Sequence, residues 1–347
     1  MAYTTINKGT DYFNAQTWAG NDGSDRAMTT SFQPDWVWIK ATDGTQDHQI
    51  YDAVRGATKD IHSNNTDAEG TTTNGLKSFT STGFTIGGDA GVNDVSLDYV
   101  GWSWKAGNSS GSSNSDGDIT STVSANTTAG FSIVKHTGNG STATIGHGLG
   151  AVPKMIFTKK RSASDNWFTY HESLGNGKYI LLEATDAVAT SSNVWNDTTP
   201  TSSVFTKGGP ANENAATYIS YCFAEKVGYS KFGDYTGNGS TDGPFIYTGF
   251  KPAFVVVKNT SASANWVNTD NAISFNGKGS NESTCLFPSS NSGESDAYGL
   301  QLYSNGFAFK GGDSASVTVN GSGNIYIYWA FAEVPLVGTN GIPATAR

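Results

Sequence analysis

The sequence predicts an all-β protein made of three tandem antiparallel β-sandwich repeats, jelly-roll-like and each about 100 residues long. Composition is the first of three observations behind this prediction. The 42 glycines supply turn residues, and Phe, Trp and Tyr together make up 12% of the chain. Charged residues make up 15%, against roughly 25% in an average globular protein. Exposed helices carry many charges, so helix should be minor.

A short marker that recurs three times is the second observation. It consists of an apolar residue, a proline, a strand-like run and a lysine, and it spans residues 32–40, 149–159 and 250–258. Proline is tolerated at the head of a strand because its missing N–H is not needed in the ladder there. The marker therefore predicts the start of a buried strand in each repeat.

An aromatic segment that closes each repeat is the third observation. It occupies residues 99–104, 218–225 and 326–333, where aromatics recur at short intervals as in a strand buried on both faces. From the marker proline to the closing tyrosine is 65 residues in the first two repeats and 74 in the third. A period near 100 residues is too long for a solenoid rung, so each copy is predicted to be a small domain with its own core.

Domain boundaries follow from these markers. We predict repeat 1 at residues 1–106, a Gly/Ser linker at 107–118, repeat 2 at 119–226, repeat 3 at 227–334 and a C-terminal docking tail at 335–347. The linker composition is typical of a flexible chain, which predicts that repeat 1 moves independently and serves as an attachment module. Repeats 2 and 3 join almost directly and are predicted to pack as a rigid pair.

Several function classes are disfavoured by charge and residue spacing. The formal charge is −9 and the longest basic run is Lys159–Arg161, so nucleic acid is not an expected partner. Neither the five histidines nor Cys222 and Cys285 show metal-ligand spacing, and both cysteines are predicted to be buried free thiols. No signal peptide or membrane span is expected. We therefore predict no metal, no cofactor, no catalytic residues and no enzymatic activity.

Carboxylates keep a depolymerase open as an alternative, since glycosidases act through two acids. The candidates are scattered over turn-like segments, and Glu172 is the best single one; the set is Asp165, Glu172, Glu213, Asp270 and Glu294.

Two tryptophans in matching turns are the candidate ligand-binding residues. Trp167 and Trp266 each follow an asparagine, Asn166 and Asn265, in Ser/Asn-rich segments. An exposed indole face beside amide groups is suited to holding sugar rings. The alternative is packing, because matched positions in a repeat often serve the repeat's own core. Trp102, Trp104 and Trp329 lie in strand-like runs and are predicted to be core.

The markers resemble repeat-containing virion surface proteins of marine tailed bacteriophages, in particular through the Tyr-Ile-x-x-x-Phe-Ala-Glu closure of repeats 2 and 3 and the ending at 331–347. The resemblance covers virtually the whole chain. It implies a tail-fibre-like protein made in the bacterial cytoplasm, displayed on the virion, in contact with other virion proteins and with a bacterial surface glycan. Weak sites favour a multivalent display, so a homotrimer is expected. The alternative is a capsid-exterior decoration protein without a ligand of its own.

Overall fold

The computed structural model describes residues 4–273, 284–335 and 337, and almost all regular structure among them is β. The all-β prediction is confirmed. Every named strand pair in the described part of the chain is antiparallel, and each predicted repeat carries a larger sheet and a smaller one. None of the helices in the described residues is long and apolar enough to span a membrane.

Repeat 1 contains eight strands in two sheets. The five-stranded sheet has the order β1-β8-β3-β4-β5 and the three-stranded sheet has the order β2-β7-β6, with the strands β1 (Phe13–Ala19), β2 (Arg26–Thr29), β3 (Trp36–Ala41), β4 (Gln49–Asp52), β5 (Gly56–Ile61), β6 (Leu76–Thr80), β7 (Gly83–Ile86) and β8 (Asp98–Trp104). A 3-10 helix precedes them at Gly9–Asp11.

Repeat 2 has an eight-stranded sheet and a small two-stranded one. The large sheet runs β16-β15-β14-β13-β18-β11-β10-β9 and the small one pairs β12 with β17; the elements are β9 (Ser112–Asn114), β10 (Ser121–Asn126), β11 (Phe131–Thr137), β12 (Ala143–Gly146), β13 (Met155–Lys160), β14 (Trp167–His171), β15 (Lys178–Leu181), β16 (Ala189–Thr190), α1 (Ser192–Trp195), β17 (Val204–Lys207) and β18 (Thr217–Phe223). Two 3-10 helices lie at Glu172–Leu174 and Gly209–Ala211.

Repeat 3 has a four-stranded and a three-stranded sheet. Their orders are β19-β25-β21-β22 and β20-β24-β23, with the strands β19 (Ser230–Thr236), β20 (Asp242–Tyr247), β21 (Phe250–Asn259), β22 (Val267–Asp270), β23 (Leu300–Tyr303), β24 (Gly306–Lys310) and β25 (Ile325–Pro335). A 3-10 helix lies at Gly312–Ala315. The predicted docking tail, residues 335–347, lies outside the described residues except for Pro335 and Val337.

The sequence markers fall on the central strands. Pro34 and Pro153 lie two residues before the first residues of β3 and β13, whereas Pro252 lies inside β21, where the pairing with β25 shifts register on both sides of it. The shift has a physical cause, since proline has no N–H to donate and a bulge removes it from the ladder. The closing aromatic segments form β8, β18 and β25, and Cys222 and Cys285 are buried free thiols, both as predicted.

The segment 107–118 differs from the expected flexible linker. Strand β9 lies within it and pairs with β10, and the backbone N–H groups of Ala106 and Asn108 donate to Asp35 Oδ2 at 2.7 and 3.0 Å. Burial of Asp35 raises its pKa to about 6, and these backbone hydrogen bonds counteract that rise. Short polar residues can join a sheet edge when a neighbouring strand supplies the ladder, and composition does not reveal that neighbour.

A shared aromatic core joins the three repeats. The ring centroids of Trp104 and Phe331 lie 5.6 Å apart, those of Phe223 and Phe331 5.8 Å, and those of Trp36 and Phe223 5.8 Å. These residues belong to one buried cluster with members from all three repeats. Side chains that bury each other's surface are stabilised only while they remain in contact, which argues against independent movement of repeat 1. The number and the boundaries of the repeats stay predictions.

Matching hydrogen bonds between repeats close this arrangement into a ring. The residues 14 positions after the marker proline each contact a backbone carbonyl of another repeat: Trp167 Nε1 donates to His62 O (2.7 Å), Trp266 Nε1 to Leu181 O (2.8 Å) and His48 Nε2 to Phe287 O (3.0 Å). His48 donates through Nε2 because its Nδ1 accepts from Trp38 Nε1 at 2.8 Å. The contacts therefore run from repeat 2 to 1, from 3 to 2 and from 1 to 3.

A second set of backbone hydrogen bonds crosses the same three junctions in the opposite direction, namely Glu69 N to Arg161 O, Val188 N to Thr260 O and Glu294 N to Thr42 O. In addition, the marker lysines Lys159 and Lys258 each donate to one carbonyl of the preceding repeat and one of their own, with Thr66 and Thr185 as the preceding-repeat acceptors. Buried ammonium groups need such acceptors, so these two lysines hold the junctions between repeats.

Candidate functional site

The two predicted sugar-binding tryptophans are buried, so the prediction that they stack on a ligand is wrong. Trp167 and Trp266 both have 0% of their surface exposed, and their Nε1 atoms donate across the repeat junctions. Their burial agrees with the alternative that both tryptophans pack in the core. Asn166 and Asn265 are half-buried; the Asn166 N–H donates to Asp165 Oδ1, and Asn265 Oδ1 accepts from Ser289 Oγ at 3.3 Å.

The side chain of Phe168, which follows Trp167, points to the opposite face of the sheet. Neighbouring residues along a strand point to opposite faces, so Trp167 enters the core shared by the repeats while Phe168 points to the other side of the sheet. There Phe168 lines an open groove of about 230 Å³ on repeat 2, together with Asp165, Tyr179, Ser191, Asn193, Val194, Pro210, Ala211 and Glu213. The predicted turn is thus beside a concave site, but through Asp165 and Phe168.

One wall of the groove is formed by α1 and the 3-10 helix at Gly209–Ala211. The Ser191 side chain caps α1 by accepting from Asn193 N at 3.2 Å, which also fixes two groove residues relative to each other. Val194 and Trp195 anchor the helix in the sandwich core of repeat 2, and Gly208 N donates to Val194 O at 2.9 Å. The wall is therefore held by buried contacts on its inner side.

The floor of the groove is aromatic. Phe168 on β14 and Tyr179 on β15 pack edge to face, with ring centroids 5.3 Å apart and an interplanar angle of 67°. Both rings are half-buried, which leaves part of each available to a ligand. The C–H groups of a sugar ring pack favourably on such surfaces, because aromatic faces carry partial negative charge.

Two carboxylates frame the rim. Glu213 pairs with Lys160 Nζ at 2.6 Å while its side chain remains 53% exposed, and its backbone N–H donates to the Tyr218 hydroxyl. Asp165 Oδ1 accepts from Asn166 N at 2.8 Å, and Asp165 Oδ2 has no hydrogen-bond partner within the described residues. Asp165 therefore presents a carboxylate oxygen that is free to accept from a ligand hydroxyl.

A buried lysine lies behind the rim. Lys207 Nζ is 3.7 Å from the centre of the Tyr218 ring, and His136 stacks on Tyr218 with centroids 5.1 Å apart. Burial lowers the pKa of Lys207 to about 7 and that of His136 to about 3, and the nearby charges of Asp165 and Glu213 partly offset the fall for Lys207. The corresponding stacks of the sister repeats, Trp18 on Tyr99 and Tyr235 on Tyr326, are aromatic throughout.

Of the five carboxylates singled out in the sequence, Asp165 and Glu213 meet at the groove and the other three do not. Glu172 pairs with Lys154 at the surface, and Asp270 is buried, where its Oδ2 accepts from Trp102 Nε1 at 2.8 Å. Glu294 lies at the junction between repeats 3 and 1. In the described residues, no group of three or more His, Cys, Asp or Glu side chains could hold a metal ion.

Sequence reasoning missed Tyr179, Ser191 and Asn193. Tyr179 lies on a four-residue strand, and the other two belong to a single helical turn, which is too short to produce a periodic pattern. The Ser-Ser-Asn run at 191–193 is a capping signal that could have indicated the helix start.

Comparison with known protein families finds a match that covers most of the chain. A family model described as "Domain of unknown function (DUF7483)" matches residues 8–335, which is nearly the whole chain. No curated protein matches the chain. No solved structure matches it either.

Proposed function

We propose that this chain, which belongs to the DUF7483 family of domains of unknown function, is a virion surface protein of a tailed bacteriophage that attaches to a bacterial surface glycan. It is non-enzymatic in this proposal and contacts other virion proteins in a tail-fibre-like assembly. The phage context derives from the resemblance of the sequence markers. Glycan attachment derives from the geometry of repeat 2.

The groove on repeat 2 is the observation that carries this proposal. Its volume of about 230 Å³ suits one sugar ring. Half-buried Phe168 and Tyr179 offer apolar surface to the ring, and Asp165, Asn193 and Ser191 offer polar groups to its hydroxyls. A single open site of this size binds weakly, so display of many copies would supply the avidity that attachment needs.

The affinity of groove variants for purified glycan tests the proposed binding. We expect Asp165→Ala and Phe168→Ala each to weaken binding of purified host surface glycan at least tenfold by calorimetry. Asp67→Ala, an exposed carboxylate on repeat 1, is the matched control and should leave binding unchanged. Equal affinity of all three variants and the parent would overturn the proposal.

A capsid-exterior decoration protein is the second candidate. The closed ring of contacts favours it, because one chain already joins three similar units and needs no second chain to complete that arrangement. Antibody labelling of intact particles separates the two: label on the tail supports attachment, and label on the head supports decoration. A homotrimer belongs to the tail-fibre proposal, and a solution mass of one chain by light scattering would overturn that part.

The depolymerase is a third candidate, since Asp165 and Glu213 share the groove. Incubation with host glycan followed by a reducing-end assay decides it. New reducing ends that disappear in Glu213→Gln would replace the binding proposal with a hydrolytic one, and their absence supports binding alone.

A further inference from the structure

The outer face of the small sheet of repeat 3 carries exposed aromatic side chains. Residues directly opposite each other on neighbouring strands share a face, and two rows of three, Phe245–Ala308–Gln301 and Tyr247–Gly306–Tyr303, lie on the outer one. Phe245 is 50% exposed and Tyr247 is 54% exposed. The rings of Phe245 and Tyr303 pack edge to face with centroids 5.8 Å apart. We call Phe245, Tyr247 and Tyr303 the aromatic platform.

Repeat 1 shows what this face looks like without the aromatics. Its small sheet, β2-β7-β6, has the same strand pairing around a Gly-Phe turn, with Gly83 where repeat 3 has Gly306. Aligning the two glycines places Ala27, Thr29 and Thr80 at the positions of Phe245, Tyr247 and Tyr303, respectively.

The fold therefore does not need aromatics at these positions. All three repeat 1 residues are small and exposed, and their sheet forms the same ladder. Large apolar rings held in water contribute little to folding, because burial is what stabilises them. A solvent-facing aromatic cluster that the sister repeat lacks points to a ligand and not to packing.

The size and charge of the platform identify the ligand class. Three half-exposed rings can bury roughly 300 Å², well below the 1,200 Å² or so that a stable protein interface needs. The face residues Phe245, Tyr247, Gln301, Tyr303 and Ala308 are uncharged. At the end of this face Lys310 and Asp242 are charged, but they form an ion pair with each other. The Tyr303 hydroxyl donates to Gln301 Oε1 at 2.7 Å, which places a polar pair beside the rings. Rings flanked by amide and hydroxyl groups suit uncharged, hydroxyl-rich surfaces.

We infer that the aromatic platform of repeat 3 is a second carbohydrate-binding site, which takes an uncharged oligosaccharide by stacking two or three sugar rings on Phe245, Tyr247 and Tyr303. This inference rests on the proposed glycan attachment but uses a different surface from the groove on repeat 2. Two unlike sites on one chain would bind one polysaccharide with avidity beyond that of either site.

Repeat 1 supplies the test variant. Phe245→Ala/Tyr247→Thr/Tyr303→Thr transplants the residues that the same strand positions already carry, so the sheet should be retained, which an unchanged melting temperature would verify. The double variant Tyr247→Phe/Tyr303→Phe keeps both rings and is the matched control. The full chain is probed on an array of neutral hexasaccharides and their uronic-acid counterparts.

We expect the parent and the Phe control to bind neutral hexasaccharides and the triple variant to lose at least tenfold in affinity. If the triple variant still binds glycan and Phe168→Ala does not, the platform is not a binding site and the groove remains the proposed one. Loss of self-association in place of glycan binding, measured by sedimentation, would identify a second copy as the occupant. Absence of any glycan binding by the parent would overturn both the platform and the proposed function.

Discussion

Glu183 should make the folded protein less stable as pH rises. Its Oε2 accepts from Trp167 N at 3.0 Å, whereas its Oε1 is buried without a hydrogen-bond partner. Burial raises the pKa of Glu183 from 4.5 to about 7, and the charge of Lys159 only partly counteracts that rise. The folded protein therefore favours the protonated carboxyl.

The sign and size of the effect follow from proton linkage. Between pH 4.5 and 7 the folded state holds a proton that the unfolded state has released, so the free energy of unfolding falls as pH rises and the full penalty is present above pH 7. A shift of this size corresponds to about 3 kcal/mol, and partial exposure of the side chain reduces that to about 2 kcal/mol. Glu183→Gln keeps an acceptor for Trp167 N and removes the charge.

Urea unfolding at pH 4.5 and pH 8.5 measures this directly. We expect Glu183→Gln to match the parent within about 0.5 kcal/mol at the lower pH and to exceed it by about 2 kcal/mol at the higher one. Glu172→Gln, on the exposed pair with Lys154, is the control and should stay within about 0.5 kcal/mol at both. A stability difference for Glu183→Gln that is the same at both pH values would show that the Glu183 charge is not its cause.

Three further predictions concern stability and reactivity. Trp167→Phe and Trp266→Phe should each lower the free energy of unfolding by about 1–2 kcal/mol, because each loses a hydrogen bond between repeats. Glycan binding on the array should stay unchanged in both variants, and its loss would contradict their packing role. Gly140 has a φ of +76°, and the matching turn residue of repeat 1, Asp22, has a φ of +54°. Asn tolerates a positive φ and Val is strained there, so Gly140→Asn should have a higher melting temperature than Gly140→Val. The reverse order would contradict this backbone strain. Burial raises the pKa of the Cys222 thiol, so Ellman's reagent should not react with it until guanidinium unfolds the chain; rapid reaction in buffer would show that it is accessible.

The fold class and the central strands could be predicted from the sequence because both depend on local patterns. Tyr218 and the aromatics after it form β18, and Trp102 and Trp104 are buried in β8, as their spacing predicted. Alternating and continuous apolar runs reflect burial on one or both faces of a strand, which a single sequence records directly. The small-sheet hairpins β6-β7 and β23-β24 also have a local signal, since the second strand of each begins with a Gly-Phe pair.

The junctions and the groove could not be predicted in this way. Whether Trp167 is exposed depends on His62 O, which is 105 residues away in the chain, and nothing near Trp167 in sequence records that contact. The same applies to the segment 107–118, which looks like a linker until β10 is placed beside it. Asp165 and Glu213 were both visible as candidates, but only the fold of β14 against α1 and its neighbours brings them to one groove.

The internal repeat offers its own criterion for separating structural from functional positions. Where all three repeats make the same contact, as at His48, Trp167 and Trp266, the shared contact explains the residue without a ligand. Where one repeat departs from the others at an exposed position, packing no longer explains it. In a homotrimer built from single-repeat chains, every substitution would appear three times, whereas the three predicted repeats of this chain can diverge separately. The groove of repeat 2 and the platform of repeat 3 are two such departures, and a ring closed by equivalent contacts allows both without changing the junctions that hold it.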